Sequence, residues 1–335
     1  MPTACAPGKI ILSGEHAVVY GSPALALAVD RHMRIHYRPD RLPRLSWHTQ
    51  ERTHVLGLDK LASLRRRLDN HFERYLRGEL PITRILQKPA ELAFYAVDMA
   101  RVLSGLDVRP QGSLSIDSDI PIGAGMGSSA ALIAALLKLF GHFDDRDELI
   151  RQVRHCERLQ HGRGSIIDAA AVCSGGAVRV QGEQVESLAL PEQGLGDGFY
   201  WLFTGTPASS TGACVDQVRR NFADSPIWGE FRDVTEAFES ALMQGESLLE
   251  PIRANHRLLT RIGVVPAPLQ RLAEQVEQAG GAAKVCGAGA VSGDQGGLML
   301  LLLPSGMTPA QLSLQPDWHW GVLKEDKQGV RILED

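Results

Sequence analysis

The 335-residue chain is 44% hydrophobic and 22% charged, with a formal net charge of −4 and 34 glycines, about a tenth of the chain. This balance excludes a disordered chain, the lack of a Gly-X-Y period excludes a collagen, and the lack of a basic bias argues against binding along a nucleic-acid backbone. The length favours two domains. The Pro- and Gly-rich stretch 191–198 is the candidate linker, so we expect domains over 1–190 and 191–335.

Cysteine usage and hydropathy indicate a reducing compartment and no membrane anchor. The five cysteines are odd in number, widely spaced and without a C-x-x-C pair, which argues against a disulfide framework and a zinc site. The densest apolar stretch, 130–137, is far shorter than the ~20 residues that span a bilayer. We therefore expect a soluble cytoplasmic protein that binds neither membrane nor nucleic acid.

Hydrophobic periodicity predicts a mixed succession of strands and helices. The elements expected in the first half are strands at 9–12, 17–20, 24–29 and 33–38, helices at 58–77 and 90–103, a strand near 114–117, and helices at 128–140 and 147–160. Those expected in the second half are a strand at 199–204, helices near 210–221, 228–243, 246–261 and 267–279, and strands at 282–286 and 298–303. Because strands and helices do not alternate strictly, the pattern favours an α+β fold over a doubly wound sheet.

The first segment that suggests chemistry is APGKIILSGEHAVVYG, at 6–21. Lys9 lies between a Pro-Gly turn and an apolar run, an unusual place for a solvated lysine. A lysine held there could stabilise an incipient alkoxide or a phosphoryl group. Glu15 and His16 interrupt an otherwise apolar stretch. The structural alternative is a surface lysine followed by a polar hairpin turn.

The strongest local signal is PIGAGMGSSAA at 121–131, which a predicted strand enters and a predicted helix leaves. Glycine lets backbone N–H groups approach an anion, and a helix start adds unpaired donors and a positive dipole end. The Ser129 hydroxyl could bind Mg²⁺ as the P-loop hydroxyl does, although the stretch matches neither the P-loop pattern nor G-x-G-x-x-G. The alternative is a tight turn that binds nothing.

A third segment places acids and a histidine around a glycine. Glu157 and His161 are spaced i, i+4 on one predicted helix face, which ends at Gly162. Asp168 follows in the apolar stretch SIIDAAA, where a carboxylate is rare unless paired, and Lys9 is a partner that would keep it ionised. The alternative is an exposed Asp168 that caps a short helix.

A fourth segment, KVCGAGAVSGDQGGL at 284–298, predicts a strand, a glycine loop and a second strand. Its position near the end of the chain leaves no room for a Rossmann unit. A purely structural glycine loop and a ligand-contacting one fit the pattern equally well.

In this order, the segments resemble the GHMP small-molecule kinases, and most of all the mevalonate kinase family among them. The segment at 6–21 is similar to the first motif nearly residue for residue, and 121–131 looks like the ATP loop P-x-G-x-G-[LM]-G-S-S-A. The stretch 157–168 is similar to E-x-x-x-H-G-x-x-S-x-x-D, and 204–211 and 255–264 resemble segments of the C-terminal domain. Two stretches depart from the family pattern: HGRGSIIDA replaces H-G-x-P-S-G-x-D-N, and GAGAVSGDQGG replaces G-A-G-G-G-G.

The resemblance implies a two-domain GHMP kinase fold, with an N-terminal domain like the second domain of ribosomal protein S5 and a ferredoxin-like C-terminal domain. It implies ATP- and Mg²⁺-dependent phosphorylation of the 5-hydroxyl of mevalonate, a step of isoprenoid biosynthesis by the mevalonate pathway. Asp168 would be the base or charge partner for that hydroxyl, and Lys9 would bridge the hydroxyl and the γ-phosphate. The other implied roles are ATP binding by Ser118, Gly123, Ala124, Gly125, Met126, Gly127, Ser128 and Ser129, Mg²⁺ binding by Ser129 and Glu157, and mevalonate contact by Glu15, His16 and Thr211.

Two other functions stay open at this point. One is a kinase of the same family for another acceptor, such as homoserine or phosphomevalonate, for which Arg163 would supply an extra cation. The other is a catalytically inactive binding module on the same fold, against which the joint presence of Lys9, Ser129, Glu157 and Asp168 argues. A homodimer is the candidate assembly. The four segments at 8–21, 123–127, 162–176 and 280–297 hold 17 of the 34 glycines, as a backbone shaped around phosphate would require.

Overall fold

The computed structural model describes residues 1–49, 52–105, 110–121, 123–143, 145–162 and 165–334. The strands are β1 Thr3–Ser13, β2 Ala24–Pro39, β3 Arg44–His48, β4 Thr53–Gly57, β5 Gly112–Ser118, β6 Ala177–Gln181, β7 Gln184–Leu188, β8 Phe199–Phe203, β9 Ala282–Cys286, β10 Leu298–Leu302, β11 His319–Val322 and β12 Arg331–Leu333. The helices are α1 Leu58–Leu76, α2 Glu91–Leu103, α3 Ser128–Phe140, α4 Arg146–His161, α5 Ile167–Ser174, α6 Thr211–Phe222, α7 Ile227–Gln244, α8 Leu249–Arg261 and α9 Ala267–Gln278. Short 3₁₀ helices span His16–Tyr20, Ile82–Arg84 and Pro309–Gln311.

Two β-sheets organise the described residues. The first has eight strands in the order β12-β1-β2-β5-β3-β4, with β6 paired to β2 and β7 to β6. The β3–β5 pair is parallel, and the other pairs are antiparallel. The second sheet is antiparallel, in the order β11-β8-β10-β9. This mixture of helices and sheets confirms the α+β prediction, while the division at residue 190 stays a prediction.

Strand β1 and helix α3 lie at the centre of the core around the first sheet. All 11 residues of β1 are buried, and α3, with the sequence SSAALIAALLKLF, is buried on most of its circumference. A helix that is apolar nearly all round belongs inside a core, and α3 packs against β1, β2, α2 and α4. Any charged side chain on β1 therefore lies in a low-dielectric interior and needs a partner.

Three features of the first 50 residues differ from the predicted elements. The stretch 17–20 was predicted as a strand, but it lies in the 3₁₀ helix His16–Tyr20, because the Val18 N–H folds back to the Gly14 carbonyl. The two strands predicted at 24–29 and 33–38 form the single strand β2, which crosses an irregularity opposite Pro7 and Gly8. The strands β3, β4, β6, β7, β11 and β12 have three to five residues each and were not predicted from hydrophobic periodicity.

The end of the chain returns to the first sheet. Strand β12 pairs antiparallel with β1, and Asp326 anchors the segment before it. The Asp326 carboxylate lies 2.7 Å from His32 Nε2 and accepts hydrogen bonds from Arg331 and from the backbone N–H groups of Gln328 and Gly329. Burial opposes the charge, but these hydrogen bonds outweigh it and lower the pKa of Asp326 to about 2.

No described helix combines the length and apolar character that a membrane crossing demands.

Replacement of Asp326 by Asn should lower the free energy of unfolding by about 2 kcal/mol at neutral pH, since hydrogen bonds to charged groups contribute roughly 1.5–3 kcal/mol. The folded-state pKa lies below the unfolded value of about 3.9, so the contribution is complete above that value and is lost as the pH falls towards 2. Urea unfolding of both proteins from about pH 7 down to about pH 3 measures the difference. The difference in free energy of unfolding between the two proteins should become smaller below about pH 4. A difference that stays constant with pH would contradict a stabilising role for the ionised Asp326 carboxylate.

Candidate active site

The first glycine loop ends at the start of a long buried helix. Gly123, Gly125 and Gly127 have φ angles of 73°, 79° and 75°, in a region that residues with a side chain rarely adopt. Helix α3 begins directly after Gly127, and no side chain caps it. Its first-turn N–H groups and positive dipole end are thus available to an anion.

Lys9 packs against this loop. Its backbone N–H donates to the Met126 carbonyl over 2.9 Å. A Cβ added at Gly127 would lie 2.8 Å from Lys9 Cγ and 3.4 Å from Lys9 Cε. The lysine stem therefore runs past Gly127, and the missing side chain there gives it room beside the start of α3.

The Lys9 ammonium pairs with Asp168. Nζ lies 3.1 Å from Asp168 Oδ1, and the two side chains are 4% and 30% exposed. Asp168 is the second residue of α5, whose N-cap is Ile166, so Asp168 does not cap that helix. The structure brings the two residues together, and both structural alternatives, a surface lysine and a capping aspartate, are wrong for these positions.

Glu157 belongs to the same electrostatic cluster. The side chain is buried on α4, and burial, reinforced by the nearby Asp168 charge and opposed by Lys9, raises the pKa of Glu157 to about 8. An additional cation beside Glu157 would favour its ionised form. Ser129, the second residue of α3, donates to Gln160 Oε1 over 3.0 Å. No cluster of three or more His, Cys, Asp or Glu that could hold a metal occurs in the described part of the chain.

The polar residues after β1 reach the second sheet. Glu15 forms a buried ion pair with Lys284 of β9, which also donates to the Ile11 carbonyl over 3.1 Å. The Nε2 of His16 lies 3.1 Å from the Ala288 carbonyl oxygen, and burial lowers the pKa of His16. Sequence reasoning assigned no role to Lys284; its signal is a lone lysine inside the apolar stretch AAKVC.

A buried network of hydroxyl and amide groups joins β1 to helices α7 and α8. Asn255 Nδ2 donates to Ser13 Oγ over 2.8 Å, and Ser13 Oγ lies 2.8 Å from Thr235 Oγ1. All three side chains are buried. Neither Ser13 nor Thr235 was a candidate, because the sequence gives no sign that α7 and α8 cross the end of β1.

The two glycine loops meet. A Cβ at Gly297 would lie 3.3 Å from the Ala124 carbonyl oxygen, and one at Gly123 would lie 3.0 Å from Thr206 Oγ1. The second glycine loop, at 287–297, also packs closely against Val264, since a Cβ at Gly289 would lie 2.1 Å from the Val264 carbonyl oxygen. The segments at 123–127, 204–207 and 287–297 therefore lie against one another, and the first of them also contacts Lys9.

The remaining candidates are Ser118, Thr211 and Arg163. Ser118 ends β5, and its hydroxyl accepts a hydrogen bond from the Ile120 N–H over 3.3 Å. Thr211 is the exposed first residue of α6, and no hydrogen bond between described residues connects it to Lys9 or Asp168. Arg163 lies outside the described residues.

Comparison with known proteins identifies the family of the chain. The family model for the GHMP kinases N terminal domain matches residues 91–176. A mevalonate kinase from Pyrococcus abyssi is 31% identical over 99% of this chain and 97% of that protein. A crystal structure of a mevalonate kinase superposes with a TM-score of 0.79 at 19% identity, covering 97% of this chain and 99% of the other. The mevalonate kinase from Methanococcus jannaschii gives a TM-score of 0.76 at 18% identity, over 99% and 98%.

The relative from Pyrococcus abyssi matches nearly the whole chain, while the family model covers the part that contains the first glycine loop, α3 and α4. The chain belongs to the GHMP kinase family, alongside the archaeal mevalonate kinases.

Proposed function

We propose that the chain catalyses the ATP- and Mg²⁺-dependent phosphorylation of the 5-hydroxyl of mevalonate. The single observation that carries the proposal is the Lys9–Asp168 pair, 3.1 Å apart, beside the uncapped start of α3. Phosphoryl transfer needs anion-binding amides, a cation and a carboxylate within reach of one hydroxyl. Relatives named mevalonate kinase along nearly the whole chain favour mevalonate over phosphomevalonate or homoserine, and an inactive binding module would not need the pair.

The nucleotide proposal rests on the loop at 123–127 and the first turn of α3. ATP use follows from the family, and the backbone N–H groups of Ser128 and Ser129 suit its phosphates. The side chains of Ala124 and Met126 are buried and anchor the loop in the core. Ser118, where β5 ends before this loop, completes the proposed ATP contacts.

The donor set also fits Mg²⁺. Ser129 supplies a hydroxyl and Glu157 a carboxylate whose ionisation a cation would favour, and Mg²⁺ commonly uses one or two protein oxygens with substrate phosphates. When bound, the ion would supply charge neutralisation at the transferring phosphoryl group. The residues that would hold it are thus Ser129 and Glu157.

Proton and charge movement fall to the chain's own residues. The Asp168 carboxylate accepts the proton of the acceptor hydroxyl, since the partial exposure of this side chain leaves it open to the substrate. Lys9, almost fully buried, pairs with Asp168 and stabilises negative charge shared by the hydroxyl oxygen and the γ-phosphate. Exclusion of water around Lys9 strengthens this interaction.

The acceptor would extend from Asp168 towards Glu15 and His16. Both side chains are buried, and Glu15 Oε2 and His16 Nδ1 have no hydrogen-bond partner among the described residues. Buried acceptors of this kind suit the hydroxyl groups of a small polyol acid better than a second phosphate. Contact by Thr211, cytoplasmic localisation and a homodimer stay predictions.

Replacement of Asp168 by Asn, or of Lys9 by Met, should lower kcat by about 10²- to 10⁴-fold, the usual contribution of a positioned acid or base. A coupled assay of ADP formation with mevalonate measures the loss, and circular dichroism checks that the variants fold. Asp216→Asn, which removes an exposed carboxylate on α6, is the control and should keep wild-type kcat. Near-wild-type turnover by Asp168→Asn would contradict the mechanism.

Gly127→Ala should lower kcat by on the order of 10- to 100-fold, because a Cβ there displaces the Lys9 stem. Gly78→Ala is the matched control: φ is 76° against 75°, but nothing lies within 4 Å of its Cβ. It should cost about 1 kcal/mol of stability and leave kcat unchanged. Equal kcat for the two variants would show that Gly127 is not needed for the position of Lys9.

A panel of mevalonate, phosphomevalonate and homoserine tests the acceptor. We expect ATP consumption with mevalonate that requires Mg²⁺, and kcat/KM for the other two lower by at least about 10³-fold, since a site built for hydroxyl groups strongly rejects a mismatched acceptor. Preference for phosphomevalonate would overturn the acceptor assignment and keep the kinase. ATP binding without turnover on any acceptor would favour the inactive module.

A further inference from the structure

Lys284 is a buried lysine that the proposed reaction does not use. It lies in β9, all five residues of which are buried, and its own exposure is 0%. Its ammonium contacts the Glu15 carboxylate, the Ile11 carbonyl oxygen at 3.1 Å and Cys286 Sγ at 3.7 Å. Lys284 thus spans from the second sheet to the segment that follows Lys9.

The charge of Lys284 is maintained by its surroundings. Burial opposes the ammonium, yet Cys286 and Glu15 outweigh it and hold the pKa of Lys284 above its ordinary value. A buried ion pair loses most of its benefit when one partner is removed, because the other charge is left unpaired in the interior. Glu15, whose side chain is 1% exposed, therefore depends on Lys284 for its orientation.

The contact with Lys284 involves only one of the two oxygens of the Glu15 carboxylate. Oε1 pairs with Lys284, while Oε2 is buried and has no partner in the described residues. The next residue, His16, touches the carbonyl oxygen of Ala288, four positions beyond Lys284. The two contacts clamp the segment 15–16 against β9 and the second glycine loop, at the acceptor end of the proposed site.

We propose that Lys284 is a positioning residue, which holds the Glu15 carboxylate so that its free oxygen Oε2 accepts a hydrogen bond from a hydroxyl group of the acceptor. This inference rests on the proposed function, since it takes Glu15 to contact the acceptor. It assigns the second sheet a part in acceptor recognition, through a residue that does not itself touch the substrate.

A double-mutant cycle separates positioning from a merely structural role. Glu15→Gln and Lys284→Met are made singly and together, and kcat and KM are measured for acceptor and for ATP below the unfolding temperature of every variant. Because Lys284 acts through Glu15, each single change should lower kcat/KM for the acceptor by on the order of 10- to 100-fold, and the double variant should lose no more than the worse single one. The KM for ATP should stay near the wild-type value.

Asp98→Asn is the matched control, since Asp98 is a fully buried carboxylate paired with Arg65 and Arg101, none of which is a proposed site residue. It should lower the melting temperature and leave kcat/KM unchanged. If Lys284→Met does not fold, Lys284→Arg replaces it in the cycle.

The cycle uses whichever acceptor the wild-type enzyme phosphorylates. Losses that multiply in the double variant, or an equal loss in Asp98→Asn, would overturn the positioning role while the kinase assignment stands. A wild-type enzyme that phosphorylates no acceptor would overturn the proposed function, and this inference with it.

Discussion

The site depends on one constraint: a strand that is buried along its whole length carries an ammonium group. An unpaired charge in such an interior is strongly unfavourable, so Lys9 requires a carboxylate. Asp168 meets that requirement at 3.1 Å, and Glu157 adds a second acid close enough to feel both charges. Removal of Asp168 leaves the Lys9 charge in an interior that cannot solvate it, so the chemistry and the packing of β1 are inseparable.

The glycine loop follows from the same constraint. The stem of Lys9 needs space to run from β1 to the start of α3, and Gly127 provides it by having no side chain. The positive φ at Gly127 also turns the chain directly into α3, whose first N–H groups are left without a cap. A single residue thus gives room to the cation and directs the helix dipole to the same point, where a negatively charged group is favoured from two sides.

The sequence predicts those parts of the site that depend on short local patterns. The loop, helix α3 and the carboxylate in an apolar stretch are all visible within about ten residues of sequence, and the rule that buried charges are paired is enough to join Lys9 to Asp168. The contact of Glu15 with Lys284 connects positions 269 residues apart, and nothing local selects that partner. The strand predicted at 17–20 failed for a similar reason: its apolar residues fit a strand period, but a backbone hydrogen bond to Gly14 closes a turn.

The second glycine loop departs from the family pattern, and contacts with neighbouring segments hold its backbone. Gly289 has no room for a side chain against the Val264 carbonyl, and Gly297 approaches the Ala124 carbonyl of the first loop. Between them, the Ala290 N–H donates to the Val264 carbonyl and the Val291 N–H to Ser209 Oγ. Residues with side chains are therefore accommodated at 290–292, since hydrogen bonds to Val264 and Ser209 already fix the backbone there. The glycines kept at both ends are those at which two backbones come close together, and one of these approaches brings the second sheet against the first glycine loop.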